Sequence, residues 1–591
     1  MTPDATNATA LTANPPNQPV DAWPRWMPFL LVAFVAACLG VIRLTSPPNL
    51  LDQDQERPAT YVLDAVKNGN WICQRDLSGD ITSKPPLYTW LCAALSVANG
   101  RISLATLYLP CVFAGFGVAW MLLAVGRKYF GTTAAMFGAL MFMLTPAGLK
   151  SFGLARTDSV FTLTVTAAAL LAWCAWNRGS GWTWFWLVAA LATLTKGPLG
   201  VVLASFGLLA AVWERRSGVA QPVKGSHWPG VVLFFLITAG WFYLAYLDQG
   251  QALIDKMIGK ELVGNAIKNK KDNLPGTLIW QQPLYYLGRA APWSLLAYYG
   301  VWRICKRPSK QDEERRFERF LCCWFLAGLF LFSLSPHQRA DLLWPLMPAA
   351  SLIAGRELSR FTRHLDPIRV RNGTLVGVTV MVMGFGVYYY FVRERQPVIQ
   401  RTIALQKLAA KIEAEAGAEP PLTFVDAPAP RLSDAPPALQ VYLNVYRRPV
   451  TAQRAAALLR GGDAAFVALD DLSMLDFWRK PEDPPLFTLL AGEDGSGLKT
   501  KILGNRPTFW PQVTYAFACG PFDVRVKNAR PLQVAQHRLC VRSESEACSV
   551  TISNTVPIAR SIRVDIVRGG RYHTRERVLA ANEAWTVTIE D

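Results

Sequence analysis

The chain is short of charge: 18% of its 591 residues are Asp, Glu, Lys or Arg, against roughly 25% in an ordinary soluble protein. Its 11 cysteines form no CxxC pair and no zinc spacing, which excludes a zinc-stapled or small disulfide scaffold. There is no internal repeat, so the paired halves common in transporters are missing. Residues 1–22 are Pro/Asn/Thr-rich without a basic n-region, and no small-residue cleavage site follows the next apolar run. They read as a disordered leader before an uncleaved anchor. What is abundant is apolar surface. Hydrophobic residues make up 51% of the chain, including 21 Trp, in runs too long for strands or ordinary core helices. A simple soluble enzyme and a disordered chain are both excluded.

The charge that exists is unevenly spread. Residues 1–393 hold 36 Lys and Arg against 21 Asp and Glu, whereas 394–591 hold 25 against 22. The basic excess lies in the apolar part, where it argues for membrane topology rather than nucleic acid. Apolar stretches run from Trp26 to Ile42 and over about 86–125, 131–149, 159–176, 182–195, 197–213, 229–247, 284–302, 320–335, 342–355 and 373–392. Five connections, around 127–128, 178, 215–224, 306–319 and 356–371, hold 17 of the 36 basic residues. Placing them inside puts the N-terminus in the cytoplasm and the long tail outside. The stretch 86–125 must then cross once net, as one span with an interfacial helix or as three short spans.

The expected architecture is a polytopic α-helical membrane protein of about 11–13 spans with a C-terminal soluble domain. Its parts are a leader (1–26), a membrane domain (27–393) and a tail (394–591). In the tail, 402–417 reads as an amphipathic helix. Leu422–Asp426 and Ala464–Asp470 read as strands around the helical Ala452–Leu459. Beyond about 505, strands at Val524–Val526, Cys548–Ile552, Ile562–Val567 and Trp585–Ile589 give a β-rich end. A Cys540–Cys548 bridge is the favoured pairing among the tail cysteines.

Ionisable residues at a membrane edge are costly, so the side they share is informative. The first external loop carries Asp52, Asp54 and Arg57, then Lys84. The following external turns carry Lys150, Arg156 and Asp158, then Lys196, and finally His337, Arg339 and Asp341. Loop 248–283 holds five lysines, Lys256 and Lys260 among them, against the positive-inside trend. An anionic phosphate head group explains them; a solvated basic loop beside anionic lipid does too. Each of the others also has a structural reading. Asp52 and Asp54 suit a cap on the helix expected over 56–68. Lys84 suits snorkelling, Lys196-Gly197-Pro198 a helix break, and His337 and Arg339 interfacial anchoring.

Several strings recur in a set order: Asp54-Gln55-Glu56-Arg57, Gly69-Asn70-Trp71, Lys84-Pro85-Pro86-Leu87-Tyr88-Thr89-Trp90, Leu194-Thr195-Lys196-Gly197-Pro198, Ala291-Pro292-Trp293, and Phe332-Ser333 before Trp344-Pro345-Leu346-Met347-Pro348. Over about 27–393 they resemble bacterial glycosyltransferases of the GT-C class. Among these, the strings resemble the lipid A aminoarabinose transferases and the protein O-mannosyltransferase superfamily. The resemblance implies an undecaprenyl-phosphate-type sugar donor and a lipid, glycan or protein acceptor, joined outside the bacterial inner membrane. It puts Asp54 on the catalytic carboxylate, Asp158 on a second acidic position, and Arg57 and Lys84 near the donor phosphate. Asp52, Tyr88, Lys196, Lys256, Lys260, His337 and Arg339 complete the expected substrate-binding set. Gln55, Pro58 and Thr82-Ser83 depart from the aminoarabinose transferases' usual D-E-x-R-Y and F-E-K-P. Ser83 replaces a glutamate suited to a metal, and no metal or other cofactor is expected. No nucleic acid is expected as a partner. A transporter or lipid flippase, and an inactive assembly protein, are the competing readings.

Overall fold

The computed structural model describes residues 23–24, 26–52, 54–218, 222–264, 278–335, 338–425, 435–469, 483, 485–492, 495–509, 514–535, 537–543, 547–568 and 571–589. Six described helices are long and apolar enough to cross a membrane: 27–45, 104–130, 157–178, 228–249, 312–334 and 367–392. The membrane part opens with α1 (Met27–Thr45), α2 (Glu56–Asn68), α3 (Leu87–Ala98), α4 (Leu104–Phe130), α5 (Thr132–Met143), α6 (Pro146–Phe152), α7 (Thr157–Arg178) and α8 (Trp182–Lys196). The stretch 86–125 resolves into α3 and α4. At 12 residues, α3 is roughly 18 Å long, too short to cross. The turn after it touches the tail, since the Ile102 amide donates to Asn444 Oδ1 (3.2 Å) and Arg101 pairs with Glu413 (3.1 Å). So α3 stays at the tail face and α4 alone crosses.

Other expected spans are short or broken. Between 199 and 216 the chain passes from α-helix through a 3-10 turn back to α-helix. The 12-residue α5 is apolar on every side, and its residues Ala134–Met143 are all buried, as an all-round apolar helix requires. It packs on the helix Met347–Thr362 at glycine distance. A Cβ on Gly355 would stand 2.4 Å from the Gly138 nitrogen and 2.5 Å from the Ala134 carbonyl oxygen.

The basic connections gather on the face opposite the tail, where glutamates hold many of them. Arg356 contacts Glu318 and Glu357, and Arg303 reaches Glu357 at 3.0 Å. Arg360 reaches Glu314 (3.6 Å) and Glu357 (3.2 Å), Arg319 reaches Glu214 (2.6 Å), and Lys128 reaches Glu313 (3.8 Å). The Trp182 indole donates to the Lys224 carbonyl (2.7 Å), which brings the connections at 178 and 215–224 together.

The tail starts with the helix Pro397–Ala416, followed by a four-stranded sheet in the order β1-β2-β4-β3. Strands β1 (Leu422–Phe424) and β2 (Phe466–Leu469) pair in parallel across the helices Ala435–Leu443 and Ala452–Arg460. Both strands are buried throughout, as crossover helices demand. Strands β3 (Phe487–Ala491) and β4 (Lys501–Gly504) complete that sheet.

Eight further strands form two sheets that share one apolar core: β5 (Thr514–Cys519), β6 (Phe522–Lys527), β9 (Cys548–Asn554) and β12 (Ala584–Ile589) in one, and β7 (Ala529–Ala535), β8 (Arg538–Ser543), β10 (Arg560–Arg568) and β11 (Arg571–Leu579) in the other. The α/β-then-β order matches the sequence reading. The expected Cys540–Cys548 bridge does not form: both thiols are free, on strands of different sheets.

A second large core does not respect the junction between membrane part and tail. Leu50, Val62 and Leu63 from the first loop share it with Leu405, Leu408, Phe424 and Tyr446 of the tail. The first loop is thereby held from both sides.

Candidate active site

The loop leading into α2 is built on a buried polar network. Arg43 at the end of α1 donates to Asn49 Oδ1 (2.7 Å) and lies over the Tyr108 ring. Gln55 donates to the carbonyls of Asn49 (2.7 Å) and Asp52 (2.8 Å) and accepts from the Ala155 amide (2.7 Å). These bonds tie the entry of α2 to the turn before α7. Asp54 takes the left-handed conformation (φ 56°), which Asp tolerates better than most residues. Its side chain is exposed and within electrostatic reach of Arg156. Neither Asp52 nor Asp54 caps α2: the N-cap is Gln55, with no side-chain capping bond. Asp52 pairs with Arg393 at 2.6 Å, where the last membrane helix passes into the tail.

Beside Asp54 lies a compact charge cluster. Asp158, in the first turn of α7, is buried and contacts Lys196 at the end of α8 and Arg156 (3.3 Å). Asp341 is held by Lys150 of α6 (3.0 Å), Arg156 (3.3 Å) and Arg339 (3.4 Å). Burial pushes the Asp341 carboxyl up, but Lys150 and Arg156 outweigh it and hold it below its ordinary value. Four cations thus face two carboxylates. Partly buried charge of one sign without full compensation is costly, and an anionic ligand would relieve it.

A second cluster sits further out around α2. Arg57 faces Asp76 (3.6 Å), Lys84 pairs with Glu261 (2.7 Å) and Lys256 with Asp80 (3.0 Å). Lys260 is also within electrostatic reach of Asp80. Lys256, Lys260 and Glu261 all stand on a π-helix, Ile254–Val263. The Lys256 hydrogen bond holds the Asp80 carboxyl below its ordinary value, whereas burial pushes Asp76 up despite Arg57. Apolar contact joins the two clusters, for Ile81 and Leu194, two residues before Lys196, pack in one group with Trp241 and Leu253.

Of the expected site residues, Asp158, Lys196 and Arg339 come together within Asp54's surroundings, and Arg57, Lys84, Lys256 and Lys260 form the second group. Tyr88 does not join either. It is fully buried in the core, its hydroxyl donating to the Leu107 carbonyl (3.0 Å), because it sits on the inward side of α3. His337, Lys268, Lys270 and Lys271 lie outside the described residues. The sequence reading missed the counter-ions Asp76, Asp80 and Glu261. The Asp76–Asp80 pair bracketing a glycine turn was a usable signal, whereas Glu261 looked like any loop glutamate. Among the described residues no group of three or more His, Cys, Asp or Glu is placed to hold a metal ion, and Ser83 offers no carboxylate.

A multispan helical domain, broken helices around a cation-rich site on one face, and a soluble tail over that site define a GT-C-type membrane protein. Residues 83–243 match the family model of dolichyl-phosphate-mannose-protein mannosyltransferases. An uncharacterized protein of Aquifex aeolicus is 27% identical over 373 residues, 61% of this chain and 78% of that one. The undecaprenyl phosphate-α-4-amino-4-deoxy-L-arabinose arabinosyl transferase of Pseudomonas paraeruginosa is 23% identical over 381 residues, 63% of this chain and 66% of that enzyme. The chain therefore spans about two thirds of the length of that transferase. The crystal structure of ArnT from Cupriavidus metallidurans bound to undecaprenyl phosphate superposes with a TM-score of 0.63 at 17% identity, over 83% of this chain and all of ArnT. The chain has the GT-C fold and is related to membrane glycosyltransferases that use polyprenyl-phosphate-linked sugars.

Proposed function

We propose that the protein is an integral membrane glycosyltransferase that moves a sugar from an undecaprenyl-phosphate-type donor to a lipid, glycan or protein acceptor. The observation that carries this reading is the surplus of Lys and Arg in the cluster beside Asp54, where Lys150, Arg156, Lys196 and Arg339 meet two carboxylates. The proposed setting is the bacterial inner membrane, with the N-terminus cytoplasmic and the tail periplasmic. The gathering of the basic connections opposite the tail supports that orientation.

A sugar phosphate carries its own good leaving group, so acid assistance at the departing oxygen is a small need. The larger demand is to hold the phosphate as negative charge develops on it. Lys84 and Arg57 would do this electrostatically, with Lys84 exchanging Glu261 for the phosphate. For a hydroxyl acceptor, Asp54 would take the proton as general base; for an acceptor that is already a phosphate anion, it would orient the nucleophile. Direct displacement with inversion at the anomeric carbon is what the resemblance to GT-C glycosyltransferases implies. No step in this scheme is routed through a metal. The test is incubation of purified protein with a panel of undecaprenyl-phosphate sugars and membrane lipid extract, following donor loss by mass spectrometry. Release of undecaprenyl phosphate with a glycosylated lipid supports the reading; intact donor across the panel contradicts it.

A further inference from the structure

The tail has no role in the chemistry above, yet it reaches the outer cluster. The turn Asp76–Asp80 carries two of the three carboxylates that hold cations there, Asp76 for Arg57 and Asp80 for Lys256. The turn closes on itself: the Asp76 amide donates to the Asp80 carbonyl, the Gly79 amide to the Asp76 carbonyl, and the Asp80 amide to Asp76 Oδ1, each at 2.9 Å. The tail meets it at two points, one of them a hydrogen bond. The Tyr446 hydroxyl donates to the same Asp76 carbonyl at 3.1 Å, and the Arg448 guanidinium lies 3.7 Å from where a Cβ on Gly79 would stand.

The platform under Tyr446 is rigid. Asn444 turns the chain in the left-handed conformation (φ 56°) and accepts from the Ile102 amide (3.2 Å). Arg447 is fully buried. It donates to the carbonyls of Pro420 and Leu422 and pairs with Glu419 (3.5 Å), which reaches Lys67 of α2 (3.3 Å). Burial and the nearby Asp64 hold the Tyr446 phenol well above its ordinary value, so it remains a donor at working pH. Tyr446 itself is 1% exposed, and its hydroxyl also meets the Arg448 side chain. Its polar atom serves the turn.

We propose that Tyr446 is a positioning residue for the transfer reaction: it sets the Asp76–Asp80 turn so that Arg57 stands ready for the donor phosphate. The tail thereby contributes to donor binding without contacting donor. This rests on the proposed function.

Tyr446→Phe removes one hydroxyl and keeps the ring in its core. The control is Arg101→Ala, which cuts the Arg101–Glu413 pair elsewhere on the same docking surface and leaves the turn alone. Both are assayed as full chains in nanodiscs for KM of the undecaprenyl-phosphate sugar, kcat, thermal stability and hydrogen exchange across 74–82. Tyr446→Phe is expected to raise donor KM about three- to tenfold, the worth of one hydrogen bond. It should also speed exchange in 74–82, with kcat and Tm near wild type; Arg101→Ala should change neither KM nor that exchange. Wild-type turnover with an unchanged donor KM in Tyr446→Phe overturns this proposal alone, as does a fall in kcat and Tm without a KM change. No donor consumption by the wild type overturns the functional reading and this proposal with it.

Discussion

At position 55 a single amide is used at both ends. Its nitrogen donates to two carbonyls, and its oxygen accepts from Ala155, with the Tyr108 hydroxyl 3.2 Å away. A carboxylate would turn an oxygen toward the carbonyls of Asn49 and Asp52, and protonation would restore only one of the two donors. Gln55→Glu is expected to lower stability by about 1–3 kcal/mol, read as a lower Tm in detergent; an unchanged Tm would contradict this use of the amide. Asp341 gives a pH signature. It is an acid whose folded value lies below its ordinary 3.8, so its contribution is present above about that pH and is lost as pH falls through the folded value. The Tm gap between wild type and Asp341→Asn should therefore be full near pH 6 and shrink below pH 4; a gap that grows on acidification would be the wrong sign. At this scale the rarity of charge at a membrane edge singled out Asp158 and Lys196, which the structure brings into contact. The sequence was blind to Tyr88, since a tyrosine in a motif string looks the same whether it faces substrate or core.

Among the elements, α5 and the helix Met347–Thr362 show how tightly the membrane core is packed. Gly355→Ala would drive a methyl into the Gly138 and Ala134 backbone, which side-chain rotation cannot relieve. A loss of at least about 1–3 kcal/mol is expected, measured as a fall in Tm; Gly373→Ala, whose Cβ would meet open space, should leave Tm unchanged. The pattern of apolar runs located most of the membrane helices. It could not divide 86–125, because α3 is as apolar as a span and only its length and its contact with the tail keep it at the surface. In the tail, β1, β2, β6, β9, β10 and β12 were legible from apolar or alternating residues. Strand β11 was not: eight of its nine residues are exposed and several are arginine, which suits a sheet edge and hides a strand from any hydrophobic pattern.

For the molecule as a whole, the basic surplus divides between two faces with different chemistry. Opposite the tail, arginines lie against Glu214, Glu314, Glu318 and Glu357, so much of what charge counting assigns to topology is also ion pairing. On the tail face Lys150, Arg156, Lys196 and Arg339 meet only two carboxylates, Asp158 and Asp341. Loop charge alone foretold which connections share a face. It did not foretell that the tail and the first loop would share a core, since contacts between residues some 350 positions apart leave no local pattern. The central claim is that Asp54 works on a polyprenyl-phosphate sugar whose phosphate Lys84 and Arg57 hold. Its most direct measurement is single-turnover consumption of the active undecaprenyl-phosphate sugar by wild type and by Asp54→Asn, with undecaprenyl phosphate binding measured in parallel. The account expects the variant to fold and bind undecaprenyl phosphate as wild type does while transfer falls at least about a hundredfold. A folded Asp54→Asn protein that transfers sugar at the wild-type rate would contradict it.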